Sequence, residues 1–574
     1  MIETKPTPQD HAVHGASQNR APSNAPRAGR SRTRFSGPDG LGVFRLTVIV
    51  GLIGVVIVPL IATVAMGTRA DFGQLLADPA VHEATQNSLV SSAVSALAAT
   101  GLGVVFAIIF ERFTFPGQNL LRWFLLIPFL IPPFIGAMSW MALLGVNGPA
   151  NQLLEQLGID HTFSIFGGAG VIFLLTVHSY PVAYLVVSAA MRQVPGNLEE
   201  AARMSGGGSW TVLRTVTLPL IRPGMTAAFM LTFVSNLSDF GIPALIGLPE
   251  RYTTLTTLVY RELSSPATTN PLPQVSSIAM VLMVVALVAI LARRGRSGAT
   301  QVIASASARQ DHTGVFGYVA MGLTWLWVIV VSILPLFALA TQALLPAPGL
   351  AFTPENITLD NITSAVTSPT AVTGIQNSVM LAGGAAVIAT ALGLAVALLL
   401  SRTTHPTNPS IDVIANLPQA LPGLVIAVGW LLVAPALGIF NSPIVILLAY
   451  VMAFLALVVQ QLRGPLATVS ATLEEAATIS GASRLRALIG ITGRIVVPVV
   501  ITGAMMVFLT AVRELTISIL LVAPGSQTLG VAIFNLQQAG NYNAASALAL
   551  LVAIVGIVGL SITAAVASKR QGNA

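Results

Sequence analysis

Long apolar runs alternate with short polar segments along most of this chain. Each run covers about 18 to 25 residues, and a helix of that length crosses the roughly 30 Å hydrocarbon core of a bilayer. A soluble protein needs a polar surface, whereas 54% of these 574 residues are hydrophobic and only 9% are charged. The pattern predicts an all-α, polytopic membrane protein with about twelve transmembrane helices, over residues 43–66, 86–110, 120–145, 165–190, 225–248, 276–293, 315–343, 376–400, 411–439, 442–462, 495–523 and 544–566.

Arginine and lysine are concentrated in every second loop. Cytoplasmic loops carry an excess of these residues, so their distribution indicates the orientation of a membrane protein. If the arginine-rich tail before the first run is cytoplasmic, the loops on the opposite side near 146–164, 344–375 and 522–543 carry neither residue. The bias predicts that both termini are cytoplasmic. It also accounts for the net charge of +7, which we interpret as a preference for the membrane surface and not as nucleic-acid binding.

The second half of the chain repeats the first. Asn87 and Arg112 recur 290 residues later as Asn377 and Arg402, and after an insertion near 146–164 the interval falls to 275. Each half holds about six runs, so both copies enter the membrane in the same direction and are related by a pseudo-two-fold axis along the membrane normal. We predict a disordered basic cytoplasmic tail (1–40), a first repeat (41–293), a cytoplasmic linker (294–314), a second repeat (315–568) and a C-terminal cytoplasmic tail (569–574).

The longest cytoplasmic loop of each half carries nearly the same sequence. It reads Asn-Leu-Glu-Glu-Ala-Ala-Arg-Met-Ser-Gly over 197–206 and Thr-Leu-Glu-Glu-Ala-Ala-Thr-Ile-Ser-Gly over 472–481. Asn197 with Glu200, and Thr472 with Glu475, have the spacing of a helix N-cap and its reciprocal carboxylate. The final glycine suits a helix C-terminus. Each copy predicts a helix of about two turns, which is marginal in water by itself and is suited to docking on another protein.

These loops resemble the signature of the inner-membrane permeases of binding-protein-dependent ABC importers. That signature is Glu-Ala-Ala, three residues, Gly, nine residues, an aliphatic residue, one residue and Leu-Pro. The first copy matches every position, with Glu200, Ala201, Ala202, Gly206, Val216, Leu218 and Pro219. The second copy matches with Glu475, Ala476, Ala477, Gly481 and Ile491. It departs at Gly493-Arg494, where Leu-Pro is expected, and this leaves open how the second loop returns to the membrane.

The resemblance implies a type I ABC importer permease fold, with two fused transport domains in the inner (plasma) membrane. In this family the short helices, here around 198–206 and 473–481, are coupling helices that dock on two cytoplasmic ATP-binding subunits. An extracytoplasmic substrate-binding protein delivers the solute. The sequence contains no phosphate-binding loop of the form Gly-x4-Gly-Lys-Ser/Thr. We therefore predict a transport subunit that is not an enzyme, binds no cofactor and relies on ATP hydrolysis by separate chains.

Charged residues inside predicted spans are candidates for the translocation path, because charges within a membrane are costly and usually functional. The candidates are Asp239, Arg513 and Glu514, and the two carboxylates occupy equivalent positions, 275 residues apart. Two interpretations stay open at this point. Either the carboxylates face a central path, or Glu514 pairs with its surroundings, Arg513 included, while Asp239 lies near the outer interface.

The segments 238–243 and 513–515, on a fused double permease, resemble the ferric iron branch of the family, with permeases for thiamine, phosphonate or polyamine as alternatives. The chain has 0 Cys, and its 7 histidines lack the spacing of metal ligands, so we predict no metal site. An ion-coupled secondary transporter would explain the repeat but not the paired loops. A membrane-embedded enzyme needs a nucleophile or a metal cluster, and the sequence offers neither.

Overall fold

The computed structural model describes residues 40–145, 148–159, 162–265, 270–294, 311–312 and 314–571. Almost all of this part of the chain is helical, as predicted. The predicted tail up to residue 39, most of the predicted linker over 294–314 and the last three residues of the chain lie outside the described residues.

The first half forms helices of very different lengths. They are α1 (Gly40–Leu52), α2 (Val58–Gly67), α3 (Phe72–Ala77), α4 (Pro79–Arg112), α5 (Gln118–Leu125), α6 (Ile127–Leu130), α7 (Pro133–Leu144), α8 (Pro149–Gln156), α9 (Gly168–Met191), α10 (Gly196–Met204), α11 (Ser209–Val212), α12 (Leu218–Leu237), α13 (Leu255–Ser264) and α14 (Leu272–Arg294).

The second half follows the same order. Its helices are α15 (Val315–Val328), α16 (Leu334–Leu344), α17 (Asp360–Thr367), α18 (Pro369–Arg402), α19 (Asn408–Asn416), α20 (Gly423–Val433), α21 (Pro443–Thr468), α22 (Thr472–Ile479), α23 (Arg484–Ala487), α24 (Val497–Val512), α25 (Thr516–Leu521), α26 (Leu529–Gln538) and α27 (Tyr542–Gln571). Short 3-10 turns cover Leu248–Glu250, Pro354–Asn356 and Leu417–Ala420. Two strands of two residues each, β1 (Phe113–Thr114) and β2 (Asp311–His312), pair in parallel.

Single π-helical turns recur at equivalent places in the two halves. Such turns are rare and are frequent at functional sites. One pair joins the two parts of the first long helix in each half, and another pair follows the short helices α11 and α23. These turns span Ile53–Ile57, Ile329–Ile333, Leu213–Thr217 and Leu488–Gly493, and a fifth, in the first half, spans Pro243–Gly247.

Nine continuous helices among the described residues are long and apolar enough to cross a membrane. Two further pairs of helices qualify together but are bent, by 109° between 408–420 and 423–433 and by 76° between 485–493 and 497–512. The described part of the chain therefore has an all-α, polytopic architecture, as predicted. The prediction of about twelve spans included four segments that are not continuous helices.

Two of these segments are broken by proline. The spans predicted over 120–145 and 411–439 are interrupted at Pro132 and Pro422. Proline pushes the preceding residue out of the helical region, and Ile131 (φ −92°, ψ 138°) and Leu421 (φ −106°, ψ 139°) are indeed extended. Both halves thus carry a broken helix at the same point of the repeat.

The other two segments end early. The spans predicted over 225–248 and 495–523 stop at Leu237 and Val512. The chain then turns at Asp239 and Glu514, whose carboxylates accept backbone N–H groups of the next turn. Local side-chain hydrogen bonds of this kind compete with continuation of a helix.

The broken helix of each half packs against helices of the other half. In the first half α7 lies against α16 and α27 of the second, while α20 of the second half lies against α2 and α14 of the first. One hydrophobic core accordingly joins Leu60 and Leu282 to Trp430, and another joins Phe134 to Phe534. Because the cores are shared, neither half buries its apolar surface alone.

Within each half the longest helices approach closely at small residues. A Cβ atom on Gly103 of α4 would lie 2.8 Å from the carbonyl carbon of Ala183 in α9. At the equivalent position in α18, a Cβ on Gly393 would lie 2.7 Å from Val458 Cγ1 in α21. Small residues at such crossings let membrane helices gain dispersion contacts over their backbones.

Candidate coupling loops and translocation path

The predicted short helices are present and end as expected. Gly206 (φ +86°) follows α10 and Gly481 (φ +91°) follows α22, so both adopt the left-handed conformation that favours glycine. The N–H of Gly206 bonds to the carbonyl of Arg203 at 2.9 Å, and that of Gly207 bonds to Ala202 at 3.0 Å. This pair of bonds is a Schellman motif. The second copy repeats it with Gly481 and Ala482.

The predicted N-caps are wrong. The residue that precedes α10 is Pro195, and the one that precedes α22 is Ala471, and neither caps its helix with a side chain. Asn197 lies inside α10 and Thr472 is the first residue of α22. Helix α10 begins at Gly196, directly after Pro195, which is extended (φ −66°, ψ 124°).

Each short helix has exposed acidic and exposed apolar side chains. The motif carboxylates Glu200 and Glu475 are exposed. Large apolar side chains flank them at equivalent positions, with exposed fractions of 45% for Leu198, 90% for Met204, 44% for Leu473 and 87% for Ile479. Large apolar side chains left this exposed make the short helices candidates for an interaction surface. Of the remaining motif residues, Ala201 and Ala476 are exposed, and Ala202 and Ala477 are half-buried.

The neighbouring glutamates point the other way. Glu199 is buried, forms an ion pair with Arg112 at the end of α4, and accepts a hydrogen bond from Thr217. In the second half Glu474 lies 3.5 Å from Arg402 Nε at the end of α18 and accepts a hydrogen bond from Thr492. Sequence reasoning missed Glu199 and Glu474. The available signals were the doubled glutamate and the recurrence of Arg112 as Arg402.

The two loops return to the membrane differently, at the point where the second copy departs from the signature. The first loop continues as one helix of 29 residues, Ser209–Leu237, whereas the second bends by 76° after Gly493. Pro498 then lies in the first turn of α24, where its missing N–H costs nothing.

Asp239, Arg513 and Glu514 lie together, since all three line one cavity of about 170 Å³. Its other lining residues come from both halves and include Pro133, Phe134, Thr510 and Thr516. Asp239 Oδ1 accepts the N–H of Ile242 at 2.8 Å, and Glu514 Oε1 accepts that of Ile517 at 2.7 Å. The carboxylates therefore border the cavity and also hold the turns that follow them.

Arg513 and Glu514 are adjacent in the sequence but form hydrogen bonds with different partners. Arg513 does not pair with Glu514, although both residues are described. Its Nη1 donates to the carbonyl of Leu130 at 2.7 Å, which joins the second half to the break between α6 and α7 of the first. Glu514 instead accepts a second N–H, from Ser518, at 3.1 Å. Glu514 thus takes its hydrogen-bond partners from its own surroundings, at Ile517 and Ser518, while the hydrogen bond of Arg513 goes to Leu130.

Among the described residues, no group of three or more His, Asp or Glu side chains could hold a metal ion. His178, inside α9, forms a hydrogen bond with the backbone of Pro128. The cavity lined by Asp239, Arg513 and Glu514 thus presents carboxylate, hydroxyl and guanidinium groups.

The paired loops and the two-half fold agree with a known protein family. The chain matches the family described as binding-protein-dependent transport system inner membrane component, over residues 99–294 and 389–571. The protein belongs to this family. It is a multi-pass inner membrane permease subunit of an ABC importer and not an enzyme, and the resemblance inferred from its loops is confirmed.

Individual relatives are more distant. The Fe(3+)-transport system permease protein FbpB 2 of Haemophilus influenzae is 22% identical over 89% of this chain and 96% of its own length. The molybdenum transport system permease protein ModB of Escherichia coli is 31% identical, over 33% of this chain and 83% of its own. A solved bacterial alginate ABC transporter, in complex with an alginate pentasaccharide-bound periplasmic protein, is 19% identical with a TM-score of 0.40, and the match covers 45% of this chain and 93% of that one.

Proposed function

We propose that this permease is driven by two cytoplasmic ATP-binding subunits that dock on α10 and α22, and that both of its termini are cytoplasmic. Glu200, Ala201, Ala202 and Gly206, with Glu475, Ala476, Ala477 and Gly481, form the docking elements. The observation that carries the proposal is the presence of two equivalent short helices, each exposing a carboxylate between two large apolar side chains.

The exposed chemistry suits a protein partner. Burial of Met204 and Ile479 in an apolar groove of a partner would stabilise the complex. Both residues lie at the C-terminal end of their helix, whereas Glu199 and Glu474 lie near the N-terminal end. Glu200 and Glu475 add charge complementarity toward basic residues, which improves specificity and association rate more than affinity. An extracytoplasmic binding protein delivers the solute on the other side of the membrane.

Charge reversal tests the docking. Glu200→Arg or Glu475→Arg should weaken association with the ATP-binding subunits and abolish ATP-dependent uptake, while the chain still inserts in the membrane. Glu155→Arg is the matched control, because Glu155 is also an exposed helical glutamate but lies in the predicted outer loop. Association is measured by co-purification from membranes. Wild-type association and uptake in both variants would refute the docking sites.

Ferric iron is the solute that we propose. The Haemophilus influenzae relative named for Fe(3+) transport is similar over 89% of this chain, and a ferric transport permease of Actinobacillus pleuropneumoniae is similar over 82%. Two carboxylates and one guanidinium line the cavity, and this excess of acidic groups also favours a cationic solute. Iron would be the transported substrate, so the permease does not need a permanent iron-binding site.

Uptake into vesicles distinguishes the solutes. The permease is reconstituted with its ATP-binding subunits, and radiolabelled ferric iron is supplied on its binding protein. We expect accumulation that requires ATP. Accumulation of molybdate, thiamine, phosphonate or polyamine in place of iron would overturn the iron assignment alone. Accumulation that continues without ATP would indicate an ion-coupled secondary transporter and overturn the whole proposal.

A further inference from the structure

We infer that the buried ion pairs Arg112–Glu199 and Arg402–Glu474 are the links that transmit movement of α10 and α22 to the long helices α4 and α18. This inference rests on the proposed function, in which ATP-binding subunits push on α10 and α22. It assigns a positioning role to four residues outside the Glu-Ala-Ala motif.

In the first half the link joins three elements. The side chain of Glu199 pairs with Arg112, the last residue of α4, and accepts a hydrogen bond from the hydroxyl of Thr217 at 2.7 Å. Thr217 is the last residue of the π-helical turn that leads into α12. One carboxylate therefore ties the short helix both to the end of α4 and to the turn that leads into α12.

The second half builds the same link with further bonds. Glu474 pairs with Arg402, the last residue of α18, and accepts the hydroxyl of Thr492 in the equivalent π-helical turn. Arg402 Nη2 also donates to the carbonyls of Leu466 at 2.6 Å and Val469 at 2.7 Å, at the end of α21. All three residues of each link recur at the repeat intervals, so one arrangement is present twice.

Among the described residues, the short helices make few contacts with other helices. Their main packing is on the segments that follow them, α11 or α23 and the adjoining π-helical turn, and their outer sides are exposed. A two-turn helix fastened only by such contacts would rotate in place when pushed. The ion pair prevents this, because both of its side chains are largely buried and separating them would leave a charge without compensation.

The test measures how nucleotide affects the path when a link is cut. The chain has 0 Cys, so Thr510→Cys places one thiol at the cavity. Its labelling rate by a membrane-impermeant maleimide is measured in the complex with the ATP-binding subunits, with and without ATP. We expect ATP to change this rate about tenfold in the otherwise unchanged chain, and less than about twofold after Arg112→Gln or Arg402→Gln, since allosteric coupling typically covers 5- to 150-fold.

The matched control is Arg222→Gln. Arg222 is an exposed arginine on the same side of the membrane, and among the described residues it forms no ion pair. It should leave the response to ATP unchanged. Arg112→Lys keeps the charge but not the fork geometry of arginine, and it should restore part of the response that Arg112→Gln removes. A chain that had simply lost its structure would not show this graded rescue.

The outcomes separate the two claims. If the unchanged chain does not bind the ATP-binding subunits, the proposed function fails and this inference fails with it. If Arg112→Gln and Arg402→Gln bind them and still respond fully to ATP, only this inference is overturned. If these variants lose the subunits altogether, the ion pairs serve docking and not transmission, and the inference is again overturned.

Discussion

Glu199 and Glu200 are adjacent in the sequence but belong to different surfaces. Successive helical residues are turned by about 100° around the axis, so one carboxylate enters the protein and the next faces away from it. The same division separates Glu474 from Glu475. A motif that reads as a single acidic patch thus combines an internal anchor with an external contact.

At the cavity lined by Asp239 and Glu514, the effects of charge and of helix capping can be separated by substitution. Asp239→Asn keeps an oxygen for the N–H of Ile242 but removes the charge, whereas Asp239→Ala removes both. If Asp239 and Glu514 border the translocation path, their charges act on the solute. We then expect Asp239→Asn and Glu514→Gln to lower the initial rate of iron uptake about tenfold or more, nearly as far as alanine. Association with the ATP-binding subunits should persist.

The control for this prediction is Asp360→Asn, which removes a carboxylate at the first residue of α17, outside the cavity. Initial rates are compared over a range of iron concentrations. Normal kinetics in Asp239→Asn and Glu514→Gln, with defects confined to the alanine variants, would show that the carboxylates only cap their helices.

The motif residues could be found from the sequence, but their buried partners could not. The Glu-Ala-Ala spacing and the terminal glycine are local, and their positions follow from one turn of helix. Arg112 and Glu199 lie 87 residues apart, and whether such residues meet depends on how α4 and α10 pack. The recurrence of Arg112 as Arg402 marked a constraint without naming the partner.

At the scale of the elements, hydropathy predicted where the chain enters the membrane but not where it breaks. The run 120–145 is as apolar as its neighbours, and only the prolines within it indicate an interruption. Proline alone is not decisive, since Pro223 lies inside the continuous helix α12. A break also requires that the freed backbone groups find other partners, as the carbonyl of Leu130 does with Arg513.

Helix crossings supply a test at this scale. Gly103→Ala should destabilise the chain by about 1–3 kcal/mol, because the new methyl group would meet the backbone of α9 and overpack the crossing. Gly393→Ala should cost less, since its nearest neighbour is the side chain of Val458. Thermal unfolding of the purified chain in detergent gives the order.

Gly101→Ala serves as the reference for these substitutions. Gly101 lies on the same helix, and a Cβ there would have nothing within 4 Å, so the change should be neutral or slightly stabilising through helix propensity. Equal effects at Gly101 and Gly103 would mean that α4 and α9 do not cross as closely as described.

At the scale of the whole molecule, each half depends on the other, because its broken helix packs against helices of the other half. The hydrophobic cores draw on residues from both halves. If residues 1–294 and 295–574 are co-expressed as separate chains, we expect them to assemble in the membrane and purify together. Arg513→Gln should reduce the recovered complex, because it removes the bond to Leu130.

Co-purification through a tag on one half measures this assembly. A control with Arg222→Gln, an exposed arginine away from the contact between the halves, should assemble as well as the unchanged pair. Halves that purify separately as stable proteins would contradict the shared core.

The 76° bend in the second half has a mechanical consequence. A continuous helix transmits a displacement along its axis from one end to the other, whereas a bent helical segment converts part of that displacement into rotation. Ser209–Leu237 is one continuous helix, whereas the equivalent segment bends by 76° near Gly493. If two ATP-binding subunits close symmetrically on this chain, the two halves would therefore move by unequal amounts, and the permease would open asymmetrically.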